Sequence, residues 1–261
     1  MTDASVIDDI ISAAEISKDD VIVEIGAGVG FVTEQLVKYA KKVYAIELDD
    51  AAIVELNKIE ADNLEIIHKD ILKTDISEFV QNGEKLKIVA NIPYYITSPI
   101  IAHLLGEIDD GDNKNRNAIS SIVLMVQYEV AQRIMANENS PAKQYGHLSI
   151  LSQFWADIEF VRKVSARCFY PAPKVESAVL KFTIRNTPLV EVEDYSFLRK
   201  VTKAAFLSRR KNIKNSLVNA GFAKPAVEKT LNDLQISFEE RGEKFSIQKF
   251  AKLSEELKKN L

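Results

Sequence analysis

The sequence predicts an α/β protein, a mostly parallel sheet followed by a small helical domain, on three observations. Short β-branched runs alternate with helix-like segments through residues 21–184, the runs are apolar almost throughout, and beyond about residue 187 the pattern turns helical to the end. Such alternation needs a crossover helix between successive parallel strands, and near-continuously apolar strands are buried on both faces.

Taken in order, the opening MTDASVIDDIISAAEIS is acidic and helical in pattern. Strands are expected at VIVEIG (21–26), KVYAIE (42–47), LEIIH (64–68), LKIVA (86–90) and SIVLMV (121–126), with helices at about 31–40, 50–60, 74–80, 98–106 and 128–137. The stretch DDGDNKNRN (109–117) reads as a polar loop. Two later runs, 158–164 and 177–184, suit an antiparallel edge pair. Beyond RNTPLVEVEDYS (185–196) come helices, with turns at Gly221 and Arg241-Gly242. The division is a Rossmann-like domain over 1–187 and a helical domain over 188–261.

Composition narrows the function classes. Cys168 is the only cysteine among 261 residues, which excludes an intrachain disulfide, and with His68, His103 and His147 it makes no metal-ligand spacing. No charged leader with an apolar core opens the chain, and its apolar runs are far below membrane-spanning length, so a soluble cytoplasmic protein without a metal or a membrane partner is expected. Net charge is −4, but it is unevenly spread. Residues 1–60 hold 13 acids against five bases, whereas 195–220 hold seven bases and no acid, the local footprint of a nucleic-acid contact or of a solvated helix face.

Candidate site residues fall at strand ends. EIGAGVG places Gly26, Gly28 and Gly30 between a strand and a helix, where missing side chains let the backbone turn and approach a ligand, or simply tighten the turn. The GxGxG spacing preceded by an acid fits a methyl donor better than a pyrophosphate. Glu47 ends the second strand, where an acid can accept both hydroxyls of a ribose or stand exposed. Asp70 follows the third, positioned either to accept an adenine amino group or to cap the next turn. Together the three describe S-adenosylmethionine lying across the sheet's C-terminal edge.

The fourth strand ends in Asn91-Ile92-Pro93-Tyr94 and so faces the donor's methyl group. An amino group on an aromatic base is a poor nucleophile because its lone pair is delocalised into the ring. Two acceptors, the Asn91 side-chain oxygen and the Ile92 carbonyl, favour a pyramidal nitrogen and aim that lone pair at the methyl. Pro93 holds the carbonyl in place, and Tyr94 offers a stacking face for the base. The alternative is that Asn91 caps a turn and Tyr94 and Tyr95 are ordinary half-buried aromatics.

With VIVEIGAGVGFVTEQL, YAIELD, NIPYYITSPI, MVQYEVAQRIMA, YGHLSILSQ, CFYPAPKVESAVLKF, AFLSRRKNIKNSL and RGEKFSIQKFAKL, the chain resembles the KsgA-type ribosomal RNA adenine dimethyltransferases, relatives of the Erm resistance methyltransferases. The resemblance implies that Gly26, Glu47, Asp70 and Asn91 bind the donor, that Asn91 and Tyr94 hold the target adenine, and that Phe169 lies on its other face. It implies two methyls added to each of two adjacent adenines near the 3′ end of small-subunit rRNA, in an immature subunit; a monomer is the simplest expectation. Phe169 otherwise reads as a core aromatic, and the basic run FLSRRKNIKNSL (206–217), helical in pattern, as a phosphate contact or a solvated face. Competing functions are a non-catalytic rRNA-binding assembly factor, an Erm-like enzyme acting on large-subunit rRNA and, remotely, a nicotinamide oxidoreductase. Family members usually carry a basic arm and an LGQNFL-like segment before the position of Asp3; either this sequence starts downstream of such a segment, or the donor's methionine end lacks that cover. Smaller departures are Ala27, Tyr95 and His147, where proline, asparagine and arginine are common.

Overall fold

All seven apolar runs form strands in the computed structural model, which describes residues 3–141, 143–169, 172–208 and 211–261, with Tyr94 by its backbone alone. They are β1 Val21–Ile25, β2 Lys42–Glu47, β3 Leu64–His68, β4 Leu86–Asn91, β5 Ile119–Gln127, β6 Ala156–Val164 and β7 Ser177–Ile184. The order across the sheet is β3-β2-β1-β4-β5-β7-β6. The first five are parallel, and β7 runs antiparallel between β5 and β6. Central β1 is buried along its whole length, which explains its otherwise apolar run and makes Glu24 within it conspicuous.

The helices are α1 Ala4–Ala14, α2 Thr33–Tyr39, α3 Asp50–Leu56, α4 Thr97–Leu105, α5 Lys114–Ala118, α6 Tyr128–Met135, α7 His147–Trp155, α8 Tyr195–Leu207, α9 Ile213–Asn219, α10 Lys224–Asp233 and α11 Ile247–Lys259. Asp3 caps α1 by accepting from Ser5 N–H at 3.0 Å. The buried face of that helix, Val6, Ile7, Ile10 and Ala14, joins Ile22, Val89 and Val123 of the sheet in one core cluster. None of the described helices is long and apolar enough to cross a membrane.

Three expectations are corrected. Residues 74–80 form no α-helix: 3₁₀ turns at Ile71–Lys73 and Ile76–Phe79 occupy the stretch, because Asp70 and Asp75 each accept the N–H two residues ahead and close tight turns instead. Within the expected loop 109–117 lies the start of α5, two of whose polar residues, Asn115 and Arg116, are buried in the service of backbone groups. Asn115 Oδ1 accepts from Ile76 N–H at 2.8 Å, and Arg116 donates to the Leu105 carbonyl at 2.6 Å. The basic run 206–217 is not one helix: α8 ends at Leu207 and Asn212 caps α9, while Arg209 and Arg210 lie outside the described residues. Helix α7 is an addition to the elements expected.

The chain forms two units. One, Met1–Gly106 with Asp112–Ala131 and Ala156–Ile184, contains the sheet. The other, Glu107–Gly111 with Gln132–Trp155 and Arg185–Leu261, is helical. In the helical unit Glu107 accepts from Arg199 at 3.1 Å and Lys203 at 3.4 Å, and His147 stands 3.5 Å away. Burial holds the His147 pKa below the ordinary value against the pull of Glu107.

Candidate active site

Register brings the strand ends together. Ile25 of β1 is level with Ile46 of β2 on one side and Ala90 of β4 on the other, and Glu47 is level with His68 of β3. Gly26, Glu47, Asp70 and Asn91 therefore end up within about two residues of one line along the C-terminal edge, where open α/β sheets bind ligands.

At this edge a cleft of about 410 Å³ is lined by Gly26, Glu47 and Asp70, with Ile92, Pro93 and Tyr95 following strand β4. That volume suits a nucleoside-sized ligand. Glu47 is the most heavily hydrogen-bonded group here: its carboxylate accepts from the N–H groups of Gly28 at 2.8 Å, Leu48 at 2.7 Å and Asp49 at 3.0 Å. A carboxylate has about four acceptor positions, so a hydroxyl can still be accommodated. Asp70 uses one oxygen to cap Leu72 N–H at 3.0 Å, and it also lines the cleft, so capping does not take it out of the candidate site.

The glycines separate by job. Gly26, at φ +73°, lies so close to strand β4 that an added Cβ would stand 2.7 Å from the Asn91 carbonyl oxygen. Gly28, at φ +57°, would meet nothing within 4 Å. Gly30 instead faces the Ile59 side chain, a packing role. Ending β4, Asn91 is half-buried and still in register with Met125. Pro93 holds its ring-fixed φ of −57° and its carbonyl accepts from Ile96 N–H, closing the turn after the strand. The Tyr94 side chain lies outside the described residues. Phe169 is half-buried against the core cluster shared by α1 and the sheet, and it is not among the residues lining the cleft.

Absent from the expected set was Glu24. It is 2% exposed and accepts the Thr33 hydroxyl hydrogen at 2.6 Å. Burial pushes its carboxyl pKa up to about 7; the Thr33 bond opposes the rise and the charge of Glu47 adds to it. An acid inside an otherwise apolar strand was the available signal. The raised value means that the folded chain keeps a proton, between about pH 4.5 and 7, which the unfolded chain has released. That stability is complete below about pH 4.5 and is lost as pH rises through 7, a fall of about 3 kcal/mol. Urea unfolding across this range is expected to show the slope in the parent chain and a flatter one in Glu24→Gln; identical slopes would exclude Glu24 as its source.

Comparisons with known proteins agree with this geometry. A family model described as ribosomal RNA adenine dimethylase matches residues 1–259. Ribosomal RNA small subunit methyltransferase A of Clostridium botulinum (strain Loch Maree / Type A3) is 42% identical over 257 residues, covering 98% of this chain and 90% of that protein. Its namesake in Clostridium acetobutylicum is 41% identical over 259 residues, with the same shares covered. Among solved structures, a dimethyladenosine transferase from Plasmodium falciparum aligns with a TM-score of 0.80 at 27% identity, over 100% of this chain and 98% of that one. The 23S rRNA methyltransferase ErmE aligns with a TM-score of 0.70 at 25% identity, over 99% of each.

Proposed function

The chain belongs to the ribosomal RNA adenine dimethylase family, and from that premise we propose that it dimethylates the amino groups of two adjacent adenines near the 3′ end of small-subunit rRNA. It is an S-adenosylmethionine-dependent methyltransferase with a Rossmann-like fold. The small-subunit target is supported by the names of the relatives. The further reading is a cytoplasmic monomer, with no membrane partner, that works on an immature subunit. Its domain over 1–187 carries out methyl transfer, and its helical domain over 188–261, with its run of bases, binds rRNA.

The observation that carries the site assignment is the strand-edge cleft, in which glycine backbone, Glu47 and Asp70 leave room for a nucleoside. When bound, S-adenosylmethionine supplies an electrophilic methyl on a sulfonium sulfur. Gly26, Gly28, Glu47, Asp70 and Asn91 hold it. Glu47 keeps acceptor capacity for a ribose hydroxyl, and Asp70 has one oxygen uncommitted to its cap. Asn91 and the Ile92 carbonyl accept from the adenine amino group and orient its lone pair; Tyr94 and Phe169 hold the ring. No general base is required, because the methylated ammonium is acidic enough to lose its proton afterwards. A second methylation leaves the nitrogen one hydrogen short, so Asn91 must function with one contact fewer. The base must also leave its stack, which costs least in an RNA loop.

Presenting undermethylated small and large subunits separately, with labelled donor, tests the target. Incorporation of about four methyls per small subunit, two on each of two adenines, is expected with none in the large. Labelling of the large subunit alone would move the substrate to the Erm-like side.

A further inference from the structure

Two carboxylates bracket the glycine-rich loop. Glu47, at the end of β2, takes the Gly28 N–H at 2.8 Å, and Glu24, inside β1, takes the Thr33 hydroxyl at 2.6 Å. Thr33 is the first residue of α2 and is fully buried. Residues 26–32 thus run between a strand end and a side-chain bond that returns to that same strand.

Glu24 is buried inside β1 and is not among the residues lining the cleft. A buried acid and a buried hydroxyl are costly to desolvate, and an apolar pair of the same shape would stabilise the fold at least as well. Stability therefore gives no reason for this pair, whereas loop geometry does. The Gly28 N–H must sit where it meets Glu47, because that contact also sets which of the carboxylate's acceptor positions remain for a ribose.

We propose that Glu24 is a positioning residue for methyl-donor binding, acting through Thr33 to fix the loop that places Gly28 against Glu47. The role rests on the donor-cleft assignment above. Burial and the neighbouring charge of Glu47, the only titratable group acting on Glu24 among the described residues, keep the carboxyl protonated up to about neutral pH, so it serves as a neutral partner to a hydroxyl. Glutamine should then replace it well, and leucine should not.

Calorimetric titration of the full chain with S-adenosylhomocysteine at pH 7, paired with thermal unfolding of each variant, tests this. Thr33→Val and Glu24→Leu are expected to weaken binding about tenfold, the effect of one lost internal hydrogen bond. Glu24→Gln is expected to stay within about threefold of the parent chain, and the double variant Glu24→Leu/Thr33→Val, which orphans neither partner, to melt no lower than it. A folded Thr33→Val or Glu24→Leu that binds as the parent does would overturn the positioning role while leaving the donor cleft in place. Loss of affinity in all three single variants, tracking lowered melting temperatures, would reduce the pair to a structural one and overturn it as well. A parent chain that releases no heat on titration would instead remove the donor-cleft assignment, and this role with it.

Discussion

Asn91→Ala is expected to slow methyl transfer by about 10²–10³-fold, the scale on which one preorganised polar contact to a reacting group matters, while the chain stays folded. The separation of these effects follows from where the residue sits. Its backbone completes β4 and stays in register with Met125, and its carbonyl faces Gly26; alanine keeps both. Among the described residues its side-chain amide makes no hydrogen bond, so truncation leaves no orphaned partner inside the protein. What alanine removes is the acceptor opposite the adenine amino group. The Ile92 carbonyl remains, held by Pro93, so the base can still bind but its lone pair is no longer directed. The loss should therefore appear in kcat more than in KM. Single-turnover methylation of undermethylated small subunits, with S-adenosylhomocysteine titration in parallel, reads both. Full activity in the variant would remove Asn91 from the chemistry.

Much of this was legible in the sequence because it concerned backbone pattern. Seven apolar runs marked seven strands, and the residues that end β1 to β4 could be placed at one edge without coordinates, since parallel strands with crossovers all finish on the same side. Asp70 shows the limit of such reading: one residue both caps Leu72 and lines the cleft, so the cap reading does not exclude the other. Side-chain work inside the protein was not legible. Asn115 and Arg116 look like loop residues because they are polar, yet they are buried with their polarity spent on backbone groups of other elements. Glu24 was visible only as an anomaly, since its partner Thr33 is nine positions away and faces it only once α2 folds back against β1. Phe169 is a different case: the sequence left it as either a clamp on the base or a core aromatic, and the coordinates place it half-buried against the core cluster.

Gly26→Ala is expected to cost about 2–5 kcal/mol of folding stability, combining a left-handed φ with a backbone collision, and to abolish donor binding. The comparison with Gly28→Ala isolates the second contribution. Both glycines hold positive φ, +73° and +57°, so both alanines carry a similar conformational strain. Only at Gly26 does the new Cβ meet something, the Asn91 carbonyl oxygen at 2.7 Å. That oxygen belongs to a paired strand and cannot swing aside as the tip of a flexible side chain would. Relief requires either the end of β4 or the start of the glycine loop to move. The first displaces Asn91 and the Ile92 carbonyl; the second breaks the register in which Gly28 reaches Glu47. Whichever yields, the donor cleft and the amino-group acceptors lose their alignment together, because a glycine hydrogen is what lets β1 and β4 approach so closely at this edge. Gly28→Ala should cost only about 1 kcal/mol and leave β4 undisturbed. Urea unfolding of the two variants, with single-turnover methylation of each, decides the matter: equal destabilisation would mean that the backbone relaxes freely around Gly26, and the two strand ends would then not be held by that contact.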